Sequence, residues 1–220
     1  RSIKLCIGTL LAFIFIGYFR MWEETMSTIA IILTSVIMSV AIGLPTGIAM
    51  SRSDRTQKIV TPILDVMQTM PPFVYLIPIV MLMGIGKIPG LIAVVIYAIP
   101  PLIRLTNLGI REVDQEALEA ADAFGATKRQ KLFQVQLPLA LPTIFAGINQ
   151  TIMMALAMVI IASMIGVKGL GQPVLQSIYN QYFTKGVLYG LAIVIVAIVF
   201  DRVSQSYGQR IQKHRSGKLV

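Results

Sequence analysis

Charged residues are scarce in this sequence. Of its 220 residues, 13% are Asp, Glu, Lys or Arg and 55% are hydrophobic. Soluble domains carry about a quarter charged residues, so this composition excludes an ordinary soluble fold and favours a membrane protein. The single cysteine, Cys6, excludes an internal disulfide and a cysteine-based metal site. The single histidine, His214, lies in a basic stretch near the C terminus, as is typical of a solvated residue.

The motifs of nucleotide hydrolysis and of common hydrolases are missing as well. The chain has no Gly-x-x-x-x-Gly-Lys-Ser/Thr sequence, so it has no P-loop for ATP. It also has no His-Glu-x-x-His sequence, nucleophile elbow or acid–histidine constellation. We therefore predict that the chain is not an enzyme and binds no cofactor of its own.

Six long runs with almost no charge predict six membrane-spanning helices. These runs are 5–19, 25–51, 59–86, 88–103, 132–167 and 186–200. A spanning helix needs about 20 apolar residues, so the first and last runs are short for this role. The sequence predicts an all-α, polytopic membrane protein with an N-terminal helix and outer loop over 1–27, a core domain over 28–203 and a basic tail over 204–220.

The positive charges are unevenly divided between the two sides of these spans. With a cytoplasmic N terminus, all lysines and arginines fall on the cytoplasmic side except Arg20, Lys87, Lys168 and Lys185. Arg104, just beyond the fourth run, is counted as cytoplasmic. Because positive loops stay in the cytoplasm, both termini are predicted there. This topology accounts for the net charge of +9. Nucleic-acid binding, which needs a continuous basic surface, is not required to explain it.

A charged, alanine-rich segment, residues 114–138, lies between the fourth and fifth runs on the predicted cytoplasmic side. Asp114 is placed to cap a helix whose first turn contains Glu116. Gly125 fits the left-handed position just beyond the end of that helix. A short helix with small alanines suits a groove on another protein. The alternative is a solvated connector between two spans.

A second helix is predicted directly after this turn. Thr127 and Gln130 have the spacing of a capping box, which predicts a helix over 128–136. Pro138 then fits the first turn of the fifth span.

The same segment resembles the EAA motif of ABC importer permeases, in which Glu-Ala-Ala, three residues, Gly, nine residues, an aliphatic residue, one residue and Leu-Pro follow one another. The matching positions are Glu119, Ala120, Ala121, Gly125, Val135, Leu137 and Pro138. Val135 stands where the pattern most often has Ile. The stretches "QLPLALPTIFAGINQT" and "IIASMIGVKGLGQPVLQSI" resemble permeases of glycine betaine/proline importers.

This resemblance implies a type I ABC importer permease fold with a cytoplasmic coupling helix. Residues Glu116, Glu119, Ala120, Ala121, Gly125, Leu137 and Pro138 are then expected to couple the chain to an ATPase subunit. The expected partners are an ATPase dimer that holds ATP and Mg, a second and identical permease copy, and an extracytoplasmic substrate-binding protein.

The resemblance also implies the location and the cargo. It implies a multi-pass protein of the bacterial cytoplasmic membrane that imports glycine betaine or related compatible solutes. The alternative is a secondary transporter or channel subunit for small zwitterions. Such proteins usually carry ionisable residues in several spans, whereas here only Asp65 lies well inside a run.

Candidate residues for a translocation path lie around Pro71 and Pro72 and in the fifth span. Prolines break membrane helices where the freed carbonyls face protein or water. The candidates are Asp65, Gln68, Thr69, Met70, Asn149, Gln150 and Met154. The alternatives are a structural kink at the prolines, pairing of Asp65 with a nearby cation, and interhelical hydrogen bonds or core packing in the fifth span.

Overall fold

A computed structural model describes the backbone of residues 2–216 and the side chains of residues 6–206, and the regular structure within these limits is helical. The helices are α1 Ser2–Tyr18, α2 Trp22–Arg52, α3 Asp54–Thr69, α4 Pro72–Met83, α5 Lys87–Ala98, α6 Pro100–Arg111, α7 Gln115–Ala123, α8 Lys128–Gln130, α9 Leu137–Ala162, α10 Gly171–Tyr179 and α11 Phe183–Ser216. A π-helical segment, Lys131–Gln136, joins α8 to α9, and a 3₁₀ turn, Ser163–Ile165, follows α9.

Four helical segments in the described part of the chain are long and apolar enough to cross a membrane. They are Trp22–Arg52, Lys87–Arg111, Lys128–Ile165 and Phe183–Ser206. Helices α3 and α4 meet at 101° and provide a fifth crossing if they form one broken span. The apolar part of α1, Cys6–Tyr18, is shorter. The six predicted spans therefore correspond to four long helices, one broken pair and one short helix.

The continuous segment α5–α6 lies at the centre of the fold. In its most apolar stretch of 18 residues 61% is buried, whereas the corresponding stretch of α11 is only 11% buried. Helices α2 and α9 pack against it on either side, and α2 does so through small residues. A Cβ atom on Gly47 would lie 2.6 Å from Cβ of Thr106, and one on Gly43 would lie 3.1 Å from Leu102. These glycines therefore permit the close helix contact that their four-residue spacing indicates.

The break between α3 and α4 falls at Pro71, where the sequence predicts it. Pro71 has no N–H group, so the Met67 carbonyl one turn earlier has no helical donor. The Tyr75 hydroxyl donates a hydrogen bond to this carbonyl. The Tyr75 ring packs edge-on against Tyr97, with 5.7 Å between the ring centroids. Because the freed carbonyl is satisfied within the protein, the sharp bend is tolerated among apolar helices.

Two of the helices are longer than the uncharged runs that predict them. Helix α2 begins at Trp22, so the predicted outer loop up to residue 27 is confined to 19–21. Glu23 and Glu24 occupy the first turn of α2, where acidic residues favour a helix N terminus. The fourth span continues to Arg111 instead of ending at residue 103. Arg104 is therefore helical, and it forms an ion pair with Asp65 of α3.

The fifth span begins before its predicted start, and the sixth extends beyond both of its predicted limits. Helix continues without interruption from Lys128 to Ile165. The wider π-helical turns end just before Pro138, where the missing N–H and the ring disfavour a regular α-helical turn. Helix α11 continues past Phe200, so Asp201 is helical. The basic side chains predicted for the tail, Arg210, Lys213, Arg215 and Lys218, lie outside the described residues.

Candidate functional site

Helix α7 is short, but both of its ends are capped as the sequence predicts. At its start the Asp114 carboxylate accepts a hydrogen bond of 3.1 Å from the backbone N–H two residues later. At its end Gly125 has φ +74°, and its N–H donates to the Asp122 carbonyl at 2.9 Å. The Ala126 N–H donates to the Ala121 carbonyl at 3.0 Å. This pair of bonds is a Schellman motif, which fixes the direction of the chain after α7.

The connection from α7 to α9 is also fixed by specific contacts. Thr127 and Gln130 form the predicted capping box, with each side chain accepting from the backbone N–H of the other. Lys131 forms an ion pair with Asp122 of α7. The Arg129 guanidinium lies over the Phe133 ring at 5.9 Å from its centroid. The glycine turn and the helices on both sides of it therefore form one defined unit.

This unit presents α7 on the surface, because none of the nine residues of α7 is buried. Glu116, Glu119 and Ala120 are exposed, and Ala121 is partly exposed. Phe124, at the end of α7, is 92% exposed. An isolated helix of this length is marginal in water, so contact with another surface is expected to stabilise it.

The other two motif residues, Leu137 and Pro138, are half-buried at the start of α9. Their place in the fold differs from that of the exposed residues of α7. They lie where the π-helical segment continues into α9, whereas the motif residues of α7 are at the surface.

Helix α3 has a polar face along its whole length. At about 100° per residue, its polar side chains, except that of Thr56, fall within roughly half of the helix circumference. These side chains are Asp54, Arg55, Gln57, Lys58, Thr61, Asp65, Gln68 and Thr69. The opposite face packs Val60, Leu64 and Met67 into a cluster with Met50 and Ile103. The structure thus brings three predicted path residues, Asp65, Gln68 and Thr69, onto one exposed polar surface.

Two ion pairs connect this polar face to α6. Arg104 pairs with Asp65, with the side chains 37% and 55% exposed. Arg111 pairs with Asp54 at 2.7 Å. Arg111 also donates to the Met50 carbonyl at 3.0 Å, which ties the end of α2 to the same place. The pairing of Asp65 with a neighbouring cation is one of the alternatives that the sequence left open.

Arg104 is not identified as a site residue from the sequence, because a charge beside an apolar run indicates the end of a span. The spacing of the charged residues in the sequence does indicate these two ion pairs. Arg104 and Arg111 are seven residues apart, which is two helical turns, and therefore lie on one side of α6. Asp54 and Asp65 are eleven residues apart, which is three turns, and lie on one side of α3.

The candidates in the fifth span do not join this polar surface. The Asn149 amide donates to Asp201 at 3.2 Å, and the Ser204 hydroxyl donates to the Asn149 oxygen. The alternative of interhelical hydrogen bonding is therefore what the structure shows for Asn149. Met154 packs against the main core cluster, as does Met70 near the proline break, while Gln150 is exposed. Among the side chains described, no group of three or more His, Cys, Asp or Glu residues is arranged to hold a metal ion.

The arrangement of these helices defines the class of protein. A chain of the methionine ABC transporter MetNI, in an inward-facing conformation, matches with a TM-score of 0.80 and 21% identity over 87% of this chain and 95% of that one. A chain of an amino acid ABC transporter crystallised with histidines matches with a TM-score of 0.73 and 21% identity over 89% and 96%. The fold is that of a type I ABC importer permease, as predicted.

The chain belongs to the family described as "Binding-protein-dependent transport system inner membrane component", whose sequence profile matches residues 39–213. It is 53% identical over 203 residues to the glycine betaine/proline betaine transport system permease protein ProW of Salmonella typhimurium, covering 92% of this chain and 57% of that protein. It is 50% identical to the glycine betaine transport system permease protein OpuAB of Bacillus subtilis, covering 92% and 72%. The chain therefore spans little more than half the length of the first relative.

These comparisons confirm the prediction of a multi-pass inner-membrane permease. The glycine betaine/carnitine transport permease protein GbuB of Listeria monocytogenes, 51% identical over 86% of this chain, agrees with it. The roles assigned to individual residues of the coupling segment and the path stay predictions.

Proposed function

We propose that this chain is the membrane-spanning part of an ATP-driven importer of glycine betaine or a related compatible solute. It works with a second copy of itself, a dimer of ATPase subunits that bind ATP and Mg, and an extracytoplasmic binding protein. The relatives named above are called glycine betaine transport permeases. Each is identical to this chain at about half of the aligned residues.

The exposed, doubly capped helix α7 is the observation that carries this proposal. It bears the Glu119–Ala120–Ala121 motif and projects between two long spans without burying any of its residues. A secondary transporter has no need of a rigid helix held outside its own fold. A permease driven by a separate ATPase subunit needs such a helix, because the ATPase must bind to it.

The positions of the ends of α9 support the orientation of the proposed assembly. Helix α9 connects the α7 end of the molecule with the end that carries α10, so α7 and α10 lie on opposite sides of the membrane. We place α7 and both termini in the cytoplasm, in agreement with the distribution of positive charge. The binding protein then docks on the α10 side.

A surface suited to such docking is present at α10 and α11. A groove of about 450 Å³ lies between them, lined by Val174, Ser177, Ile178, Gln181, Tyr182, Phe183, Gly186 and Val187. Phe183 is 83% exposed and Ile178 is 68% exposed. Exposed aromatic and aliphatic residues beside a groove are typical of protein contact surfaces.

Transport in reconstituted vesicles tests the proposal. The permease is purified with its ATPase subunit, and uptake of labelled glycine betaine, proline, carnitine and choline is measured with ATP and binding protein. We expect uptake that needs both ATP hydrolysis and the binding protein, and a non-hydrolysable ATP analogue serves as the control. Uptake without ATP, driven by an ion gradient, would instead identify a secondary transporter.

A further inference from the structure

The polar face of α3 is an unusual feature for one half of a membrane span. Polar side chains are costly in lipid, so this face is expected to contact water or protein. A separate strip of exposed apolar residues, Ile59, Ile63 and Val66, offers a surface for lipid or for another chain. The polar strip through Asp65 and Thr69 is therefore the side of α3 that faces water or protein rather than lipid.

The ion pair at the centre of this face leaves hydrogen-bonding groups unused. One terminal nitrogen of Arg104 donates to one carboxylate oxygen of Asp65. The Nε atom of Arg104 is buried and has no hydrogen-bond partner in the described structure. An arginine side chain has five N–H donors in a planar fork that fits a carboxylate with two parallel bonds. The single hydrogen bond to Asp65 thus uses only part of the donor capacity of Arg104.

We infer that Asp65 and Arg104 form a transient binding site for a compact zwitterion inside the permease. The substrate carboxylate binds the Arg104 guanidinium, and the substrate ammonium group lies against the Asp65 carboxylate. The substrate thereby replaces one ion pair with two, and neither protein charge is left without a counter-charge. This inference rests on the proposed function and names the residues that receive the substrate within it.

The charge balance explains why such a site suits transport. When empty, the two side chains neutralise each other, so the site carries little net charge and attracts no free ion strongly. When occupied, it remains neutral as a whole. Because the pair is partly exposed, its own attraction is modest, so a zwitterion can enter and leave without a large energetic barrier.

Protection from chemical labelling tests the site directly. Thr69 is one turn from Asp65 on the same face and is exposed. In a background with Cys6→Ser, which removes the one native cysteine, the variant Thr69→Cys is labelled with a water-soluble thiol reagent in the purified complex. We expect millimolar glycine betaine to slow labelling about threefold or more. We expect Arg104→Gln to abolish this protection.

Two matched variants separate the site from general effects. Asp54→Asn breaks the other ion pair between the same helices, at the start of α3, and should leave the protection of Thr69→Cys intact. Ile63→Cys, on the apolar strip of the same helix, should show no protection. Labelling of Thr69→Cys that is unaffected by glycine betaine, or protection that persists in Arg104→Gln, would overturn the inference.

Uptake by the unmodified complex distinguishes this inference from the function on which it rests. If that complex imports glycine betaine with ATP but shows no protection at Thr69→Cys, the importer stands and the site is wrong. If the unmodified complex imports no zwitterion, the proposed function fails first. In the supporting case, Arg104→Gln and Asp65→Asn lower uptake at least tenfold.

Discussion

Gly125 provides the sharpest test of the coupling segment, residues 114–138. At this position the effect of backbone conformation can be distinguished from the effect of steric contacts. Its φ of +74° is in the left-handed region. A Cβ atom built on it would meet no heavy atom within 4 Å. A substitution therefore creates no steric clash inside this chain, and its cost within the chain comes from the backbone conformation alone.

The expected costs follow from the conformational preferences of the substituting residues. Alanine in the left-handed region costs about 1 kcal/mol, and asparagine adopts this region with less strain. The β-branched valine costs about 2 to 3 kcal/mol. One or two kcal/mol changes an equilibrium ratio by roughly 5- to 30-fold. The Schellman turn, and with it the direction of α7, should therefore weaken in the order Asn, Ala, Val.

Measurements of substrate uptake and of ATPase association test the expected order of Asn, Ala and Val. We expect Gly125→Asn to keep ATP-driven uptake within about twofold of wild type and Gly125→Val to lower it about tenfold or more, with less ATPase retained on purification. Full activity of Gly125→Val would refute the reasoning. Equal loss in Gly125→Asn and Gly125→Val would also refute it, since the glycine would then be required for closeness to a partner rather than for its φ.

Three further predictions concern other parts of the fold. Glu119→Lys, on the exposed surface of α7, should release the ATPase on purification without lowering the thermal stability of the permease, and retained ATPase would contradict this. Gly47→Ala, whose Cβ would lie 2.6 Å from a threonine side chain, should cost about 1–3 kcal/mol, whereas Gly190→Ala, with no atom within 4 Å, should melt like wild type. Tyr75→Phe should cost about 1–3 kcal/mol by leaving the partly buried Met67 carbonyl unpaired, and a melting temperature equal to wild type would contradict that role.

Local signals in the sequence predict the coupling segment well. Caps, a capping box and a left-handed glycine depend on interactions within a few residues, so residue type and spacing suffice to place Asp114, Gly125 and Thr127. The break at Pro71 is predicted for the same reason, since a proline removes its own N–H wherever it stands. The structure adds the exposure of α7, which depends on where the neighbouring helices end.

Long-range pairing explains what the sequence did not predict. A charged residue next to an apolar run indicates the end of a span, so the sequence predicts that the fourth span ends before Arg104. Its charge is tolerated inside the helix because Asp65, distant in sequence, lies opposite it. Asp201 was placed beyond its span for the same reason, and its contact with Asn149 of another helix could not be read from either segment alone.

The helix α6 provides a physical link between the two proposed sites. Three residues, 112–114, separate its last residue, Arg111, from α7. Arg111 ties α6 to the ends of α2 and α3, and Arg104 ties it to the polar face of α3 two turns further along. At 1.5 Å per residue, the two arginines are about 10 Å apart along the helix axis. A displacement of α7 by an ATPase would therefore reach Arg104 through a single continuous helix, and would alter its distance from Asp65 unless α3 moved with it. Under the functions proposed for α7 and Asp65, the ATPase movement that displaces α7 also changes the affinity of the Asp65–Arg104 site for a zwitterion.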